Sequence, residues 1–192
     1  DSVWVGDSLT AKPRLEPLTA LAAVAAVTQR VRLGTAVLLA ALRQPVLLAQ
    51  TMATVDLISK GRLVVAAGVG GAFNEDQRRE WQAAGIDHRR RVSRLEEIVQ
   101  IVRELGAGRQ ATFSGKHFQL DQVEIGPNPA RPGGTPVLLA CHWRAKAREA
   151  QFLRAARFGD GIISISDTPE EYKQVVEQVS SMTADLGRDP SQ

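Results

Sequence analysis

The sequence predicts an α/β protein built on a parallel sheet. Short apolar runs alternate with stretches of helical length along the whole 192-residue chain. Runs such as LVVAAGV at 63–69 are continuously apolar, the pattern of strands buried on both faces. The segments between them are long enough for crossover helices, so helices are expected to cover both faces of the sheet.

The elements follow in order. Residues 2–5 are short, apolar and β-prone. Residues 15–27 are rich in Ala and Leu, with Leu18, Leu21, Ala22 and Ala25 at helical spacing. Residues 31–38 form a second strand. Pro45 suits the first turn of a helix that runs to about Ser59, and Gly61 is placed to end it. The third strand is 63–69. After Gly70 and Gly71 the alternation breaks, and 74–94 is polar and heavily charged. A helix over 94–105 leads to a small hairpin, 111–113 and 117–120, around Ser114, Gly115 and Lys116. A Pro- and Gly-rich loop fills 127–136. The segment from about 72 to 135 thus reads as an insertion within one domain spanning 1–192. Strand 137–140, a helix from about 144 to 157 and strand 161–165 resume the pattern. The last helix has the clearest boundaries: Thr168 as N-cap, Pro169 at the first position, Glu171 completing a capping box, and Gly187 and Pro190 to stop it.

Five strands belong to the sheet. Pattern alone leaves two architectures open, a (β/α)₈ barrel, which needs eight, and an open doubly wound sheet. Composition narrows the function. Hydrophobic residues are 44% and charged residues 23%, ordinary for a globular domain and against disorder or a coiled coil. A formal charge of +3 is too small to imply a nucleic-acid partner. The single cysteine, Cys141, precludes an intrachain disulfide and fits a reducing cytoplasm. The most apolar stretch, 18–27, is about half the ~20 residues of a membrane span. The opening residues carry no signal peptide and read as a strand already under way, so truncation at the front is expected. His88, His117 and His142 lack the spacing of metal ligands, and no metal site is expected.

Several stretches, in order, resemble the luciferase-like monooxygenase family. They are DSVWVGDS at 1–8, VRLGTAV at 31–37 followed by RQP at 43–45, and ATVDLISKGRL at 53–63, the most specific of them. GVG at 68–70, SGKHF at 114–118, ARFGDG at 156–161, TPEEY at 168–172 and GRDP at 187–190 continue the likeness. It implies a (β/α)₈ TIM barrel, incomplete in this chain, with the first and last strands missing. It also implies a cytoplasmic homodimer acting on a small organic substrate with FMN or the deazaflavin coenzyme F420, either as an oxidoreductase or as a monooxygenase.

Barrel sites lie just past the C-terminal ends of the strands. There the resemblance places Asp7 by the flavin ring or substrate, with Ser8 where the family often has His; Asp7 is equally a turn cap. Ala36 and Val37 match a bulge, often with a non-prolyl cis bond, that backs the ring; the plain alternative is barrel core. Gly68, Gly70 and Gly71 would let a planar cofactor approach the backbone, or simply form a turn, and Gly71 stands where some relatives carry a proton-donating Glu. Ala140, Cys141 and His142, with Trp143, occupy the place of a small-residue run that binds the cofactor phosphate at a helix N-terminus. His142 is a second acid/base candidate beside Asp7. Arg78, Arg79, Arg89, Arg90, Arg91 and Arg94 read as a solvated face or as an attractor of the acidic F420 tail. Phe73, Trp81 and Ile86 form either a lid or a loop anchor. Two further readings compete: a non-catalytic barrel relative that binds a flavin or serves as an interaction subunit, and an unrelated barrel enzyme with phosphate-bearing substrates. Helices 18–27 and 45–59 are the candidate dimer faces.

Overall fold

The structure, a computed structural model, describes residues 1–191. The strands are β1 (Ser2–Val5), β2 (Arg32–Leu38), β3 (Leu63–Ala67), β4 (Ala111–Ser114), β5 (Gln119–Val123), β6 (Val137–Ala140) and β7 (Gly161–Ile163). The helices are α1 (Pro17–Val27), α2 (Pro45–Ser59), α3 (Glu75–Ala83), α4 (Arg91–Gly106), α5 (Arg148–Phe158) and α6 (Pro169–Asp185). Five strands form one parallel sheet in the order β1-β2-β3-β6-β7, and β4 and β5 pair as a separate antiparallel hairpin.

That strand order separates the two architectures. It advances in one direction along the chain, and right-handed crossovers then keep every connecting helix on one face. A doubly wound sheet reverses direction at a switch point. The helices accordingly pack in series, α1 on α2, α2 on α4, α4 on α5 and α5 on α6. Burial alternates to match. Leu63, Val65, Ala67, Val137 and Leu139 are buried beneath the helices, while on the other side Val64, Leu138 and Ala140 are half-buried and Ala66 is buried. The expectation of helices on both faces is therefore corrected: one face is covered, and the second lines the concave side of an open barrel arc. On that side the Trp4 ring lies across Gly34, where a Cβ would come 2.2 Å from it.

The most specific sequence motif stabilises the N-terminal ends of the strands. Arg62 donates to the carbonyls of Ala25, Thr28, Val31 and Ser59 and to the Thr28 hydroxyl. Its charge thus faces the exposed carbonyls that end α1. Asp56, fully buried, accepts the Arg131 amide at 3.1 Å. Residues at this end of a barrel serve stability rather than chemistry.

Four local expectations shift. Lys60 takes the left-handed C-cap of α2 (φ 58°), ahead of Gly61. The charged stretch after β3 contains α3, started by a capping box between Asn74 and Gln77. α4 begins at Arg91 and belongs to the helical layer, so the segment 72–135 is not wholly an excursion from the barrel pattern. α5 begins at Arg148, later than expected. The Thr168–Glu171 capping box forms as the sequence predicts.

Candidate active site

The C-terminal ends of β1, β2 and β3 converge on a cleft of about 310 Å³, near the lower end of ordinary ligand pockets. Its floor is made by Gly6, Asp7 and Ala36. One wall is the loop after β1, which brings Lys12 and Arg14; the other is Gly71 and the start of α3, which brings Gln77 and Glu80.

Asp7 lies on the floor and is engaged there through one carboxylate oxygen. Its Oδ2 accepts the Leu39 amide at 2.9 Å and the Arg43 guanidinium at 2.6 Å, and its side chain is 6% exposed. Arg43 also pairs with Glu16 at 2.9 Å. Burial disfavours the Arg43 charge, but its hydrogen bonds to Asp7 and Glu16 outweigh that and raise its pKa. Asp7 thus ties the ends of β1 and β2 together, a positioning part rather than that of a free acid or base.

The Ala36–Val37 bond is cis, and the β2–β3 register shifts between Thr35 and Leu38, so the bulge lies where the resemblance put it. Val37 then faces β3. A Cβ at Gly68 would sit 2.7 Å from Val37 Cγ2 and 3.6 Å from the Ala140 methyl. At Gly70 (φ 70°) it would meet the Trp81 ring at 2.8 Å, and at Gly71 the Gln77 amide at 2.5 Å. The absent side chains leave room first for the chain's own Val37, Trp81 and Gln77. Trp81 is buried and donates to the Gly71 carbonyl at 2.8 Å, so it anchors the loop; Phe73 is 86% exposed.

The turn after β6 departs from the expected phosphate site. The His142 amide donates to Gln151 Oε1 at 3.2 Å and the Trp143 amide to Asp167 Oδ2 at 3.0 Å. Both donors are taken, one by a carboxylate, and the N-terminus of α5 lies several residues further on. The physical reason is size. Cys141 is buried, with its thiol pushed up to about 12 by that burial, and Trp143 stacks on Phe152 at 6.5 Å with Arg148 over its ring at 4.5 Å. The His142 ring makes long contacts, 3.5 Å from Nδ1 to Ser164 Oγ and to the Ile165 amide. It does not line the cleft that holds Asp7, three strands or roughly 14 Å away by strand spacing. The two acid/base candidates are not brought together.

The arginine run is also largely engaged elsewhere. Arg79 pairs with Glu75 and Arg89 with Asp87. Arg91 donates to the His88 carbonyl, and Arg94 donates to the Ala41 carbonyl while covering the Phe118 ring. The cations that line the cleft are Lys12 and Arg14.

Sequence reasoning misses Glu80. It stands in a run of charges and reads as solvated, yet it is 3% exposed. Its Oε1 accepts the Ser8 hydroxyl at 2.8 Å and the amides of Leu9, Thr10 and Ala11. Burial opposes its charge, and those donors outweigh it, holding the carboxyl below its usual range.

A flat polar ring suits the cleft. The floor carries no side chain larger than a methyl at Gly6 and Ala36, and a Cβ at Gly6 would stand 2.8 Å from Arg14 and 3.5 Å from the Ala36 carbonyl. After β6 the amides of Cys141, His142, Trp143 and Ala145 are all donated within the chain.

The family model described as luciferase-like monooxygenase matches residues 1–192. An F420-dependent glucose-6-phosphate dehydrogenase of Amycolatopsis mediterranei is 35% identical over 175 residues, covering 86% of this chain and 49% of that protein. One of the same description from Kineococcus radiotolerans is 32% identical, covering 86% and 48%. A monooxygenase of Streptomyces bottropensis superposes with a TM-score of 0.81 at 29% identity, over 98% of this chain and 56% of that one. An F420-dependent secondary alcohol dehydrogenase, solved with an F420–acetone adduct, gives 0.81 at 24%, over 100% and 57%, a likeness of fold. The chain thus spans about half the length of the relatives it matches.

Proposed function

We propose, because the chain belongs to the luciferase-like monooxygenase family, that it forms the ring-binding part of an oxidoreductase that works with coenzyme F420. The convergence of Asp7, Ala36 and Gly71 on one small-floored cleft at the C-terminal ends of β1–β3 carries this reading. The F420-dependent relatives favour the deazaflavin over FMN. When bound, that coenzyme supplies hydride exchange at its ring. The protein's contribution is placement. Ala36 and Val37 back the ring, and Asp7 holds the β1 and β2 ends at fixed spacing through Leu39 and Arg43. Lys12 and Arg14 present positive charge toward acidic groups of the ligands.

The absorbance change on titration with F420 and with FMN tests this. Saturable binding of F420 is expected, weakened at least about tenfold by Ala36→Leu, which fills the floor while leaving the helix-facing core intact. Absence of saturable binding by either cofactor contradicts it.

A second reading, binding without turnover, is favoured by one observation. Of the three acids that line the cleft, Asp7 and Glu80 are engaged and Asp76 is exposed in the first turn of α3, and Ser8 and Gly71 supply no titrating group. Cofactor affinity with no hydride exchange across a substrate panel supports it over catalysis. The small organic substrate, a cytoplasmic setting consistent with the buried free thiol of Cys141, and pairing of two copies through α1 and α2 complete the proposal. No helix among the described residues is long and apolar enough to cross a membrane.

A further inference from the structure

The loop between β1 and α1 has no regular secondary structure, yet it builds one wall of the cleft. A loop without ladder hydrogen bonds needs other partners for its amides. Here three consecutive amides, Leu9, Thr10 and Ala11, converge on one oxygen, Glu80 Oε1, about 70 residues away in sequence. The Ser8 hydroxyl donates to the same oxygen and in turn accepts the Lys12 amide at 2.9 Å. Five successive residues are thus organised by one carboxylate, directly or through Ser8.

Glu80 is itself held. It is one of the two buried residues of α3, and its neighbour Trp81 is the other, pinned to the Gly71 carbonyl beneath Gly70. The opposite wall is therefore fixed to the end of β3 through Trp81 and to the β1 loop through Glu80.

We propose that Glu80 is the positioning residue of the cleft, a clasp that sets the spacing of its two walls and the aim of Ser8, Lys12 and Arg14. The assignment of a cofactor to the cleft rests on the function proposed above; the clasp does not. A charged acceptor binds amide donors more strongly than a neutral one, by roughly a factor of two in hydrogen-bond strength. Glu80→Gln keeps the shape and one acceptor oxygen, whereas Glu80→Ala removes the acceptor altogether.

Amide hydrogen exchange on the intact protein, read alongside F420 affinity, tests the clasp. In Glu80→Ala the amides of Leu9, Thr10 and Ala11 should exchange at least about tenfold faster, with the strands of the sheet unchanged, and F420 affinity should fall about tenfold or more. In Glu80→Gln most of the protection and affinity should return, a rescue that no general loss of stability would give. Ser8→Ala removes one donor and keeps the three amides, so it should disturb Lys12 and spare Leu9 to Ala11; it serves if Glu80→Ala does not fold. Unchanged exchange at residues 9–11 in Glu80→Ala, or equal damage by Gln and Ala, overturns the proposal. If the unaltered protein binds neither F420 nor FMN, the functional reading fails, and the exchange data alone still decide the clasp.

Discussion

At the residue scale the recurrent device is a carboxylate that gathers the amides of an irregular segment. Glu80 does so for the loop after β1, and Glu97 on α4 accepts the amides of Lys116, His117 and Phe118 at the tip of the β4–β5 hairpin. Asp160 accepts the Val137 amide at 2.9 Å at the entry to β6. Glu80 and Glu97 are each satisfied by donors close in sequence to one another but far from the acid, whereas Asp160 joins the Val137 amide to the Arg103 guanidinium. Such pairings leave no trace in periodicity, which is why Glu80 reads as solvated in the sequence. They do carry a pH signature. The folded pKa of Glu80 lies below its unfolded value, so its stabilisation is complete above the unfolded value. It is lost as pH falls through the folded one. Stability is therefore expected to drop on acidification below about pH 4, and Glu80→Gln should flatten that drop, as read from urea midpoints across pH.

At the element scale the legible features are those written in local chemistry. Pro45 and Pro169 open their helices where expected, and the Thr168–Glu171 box forms. The boundaries that differ are set by packing. α5 starts late because Cys141 and Trp143 are drawn into the core beside Phe152. α3 is hidden by its polarity, although Asn74 and Gln77 already spell its cap. Of the site, Asp7 and Gly71 are legible because each follows a strand, and Ala36 because it sits near the end of β2. The engagement of Asp7 by Arg43 depends on a contact 36 residues distant and is not. One boundary yields a direct test. Lys60 occupies a left-handed cap at φ 58°, a conformation that disfavours a side chain. Lys60→Gly should raise unfolding stability by about 0.5–1 kcal/mol, measured by denaturant titration; a loss would mean that the Lys60 side chain stabilises the cap.

At the scale of the molecule, strand order carries more than composition does. Both candidate architectures share the same alternation of strands and helices. Only the unidirectional order β1-β2-β3-β6-β7 places the helices on one side and brings the strand ends round a common rim. The outer helical layer leaves Leu47 64% and Val27 83% exposed on α2 and α1, the faces proposed for pairing. Leu47→Glu is expected to shift the sedimenting species toward a single copy, and an unchanged distribution would place any pairing elsewhere. The central claim is that the rim of β1–β3 with α3, and not the turn after β6, holds the cofactor ring. Hydrogen exchange of the protein with and without F420 tests it most directly. Protection is expected in peptides covering residues 6–12 and 70–80, with little change at 141–147; protection confined to 141–147 would contradict the claim.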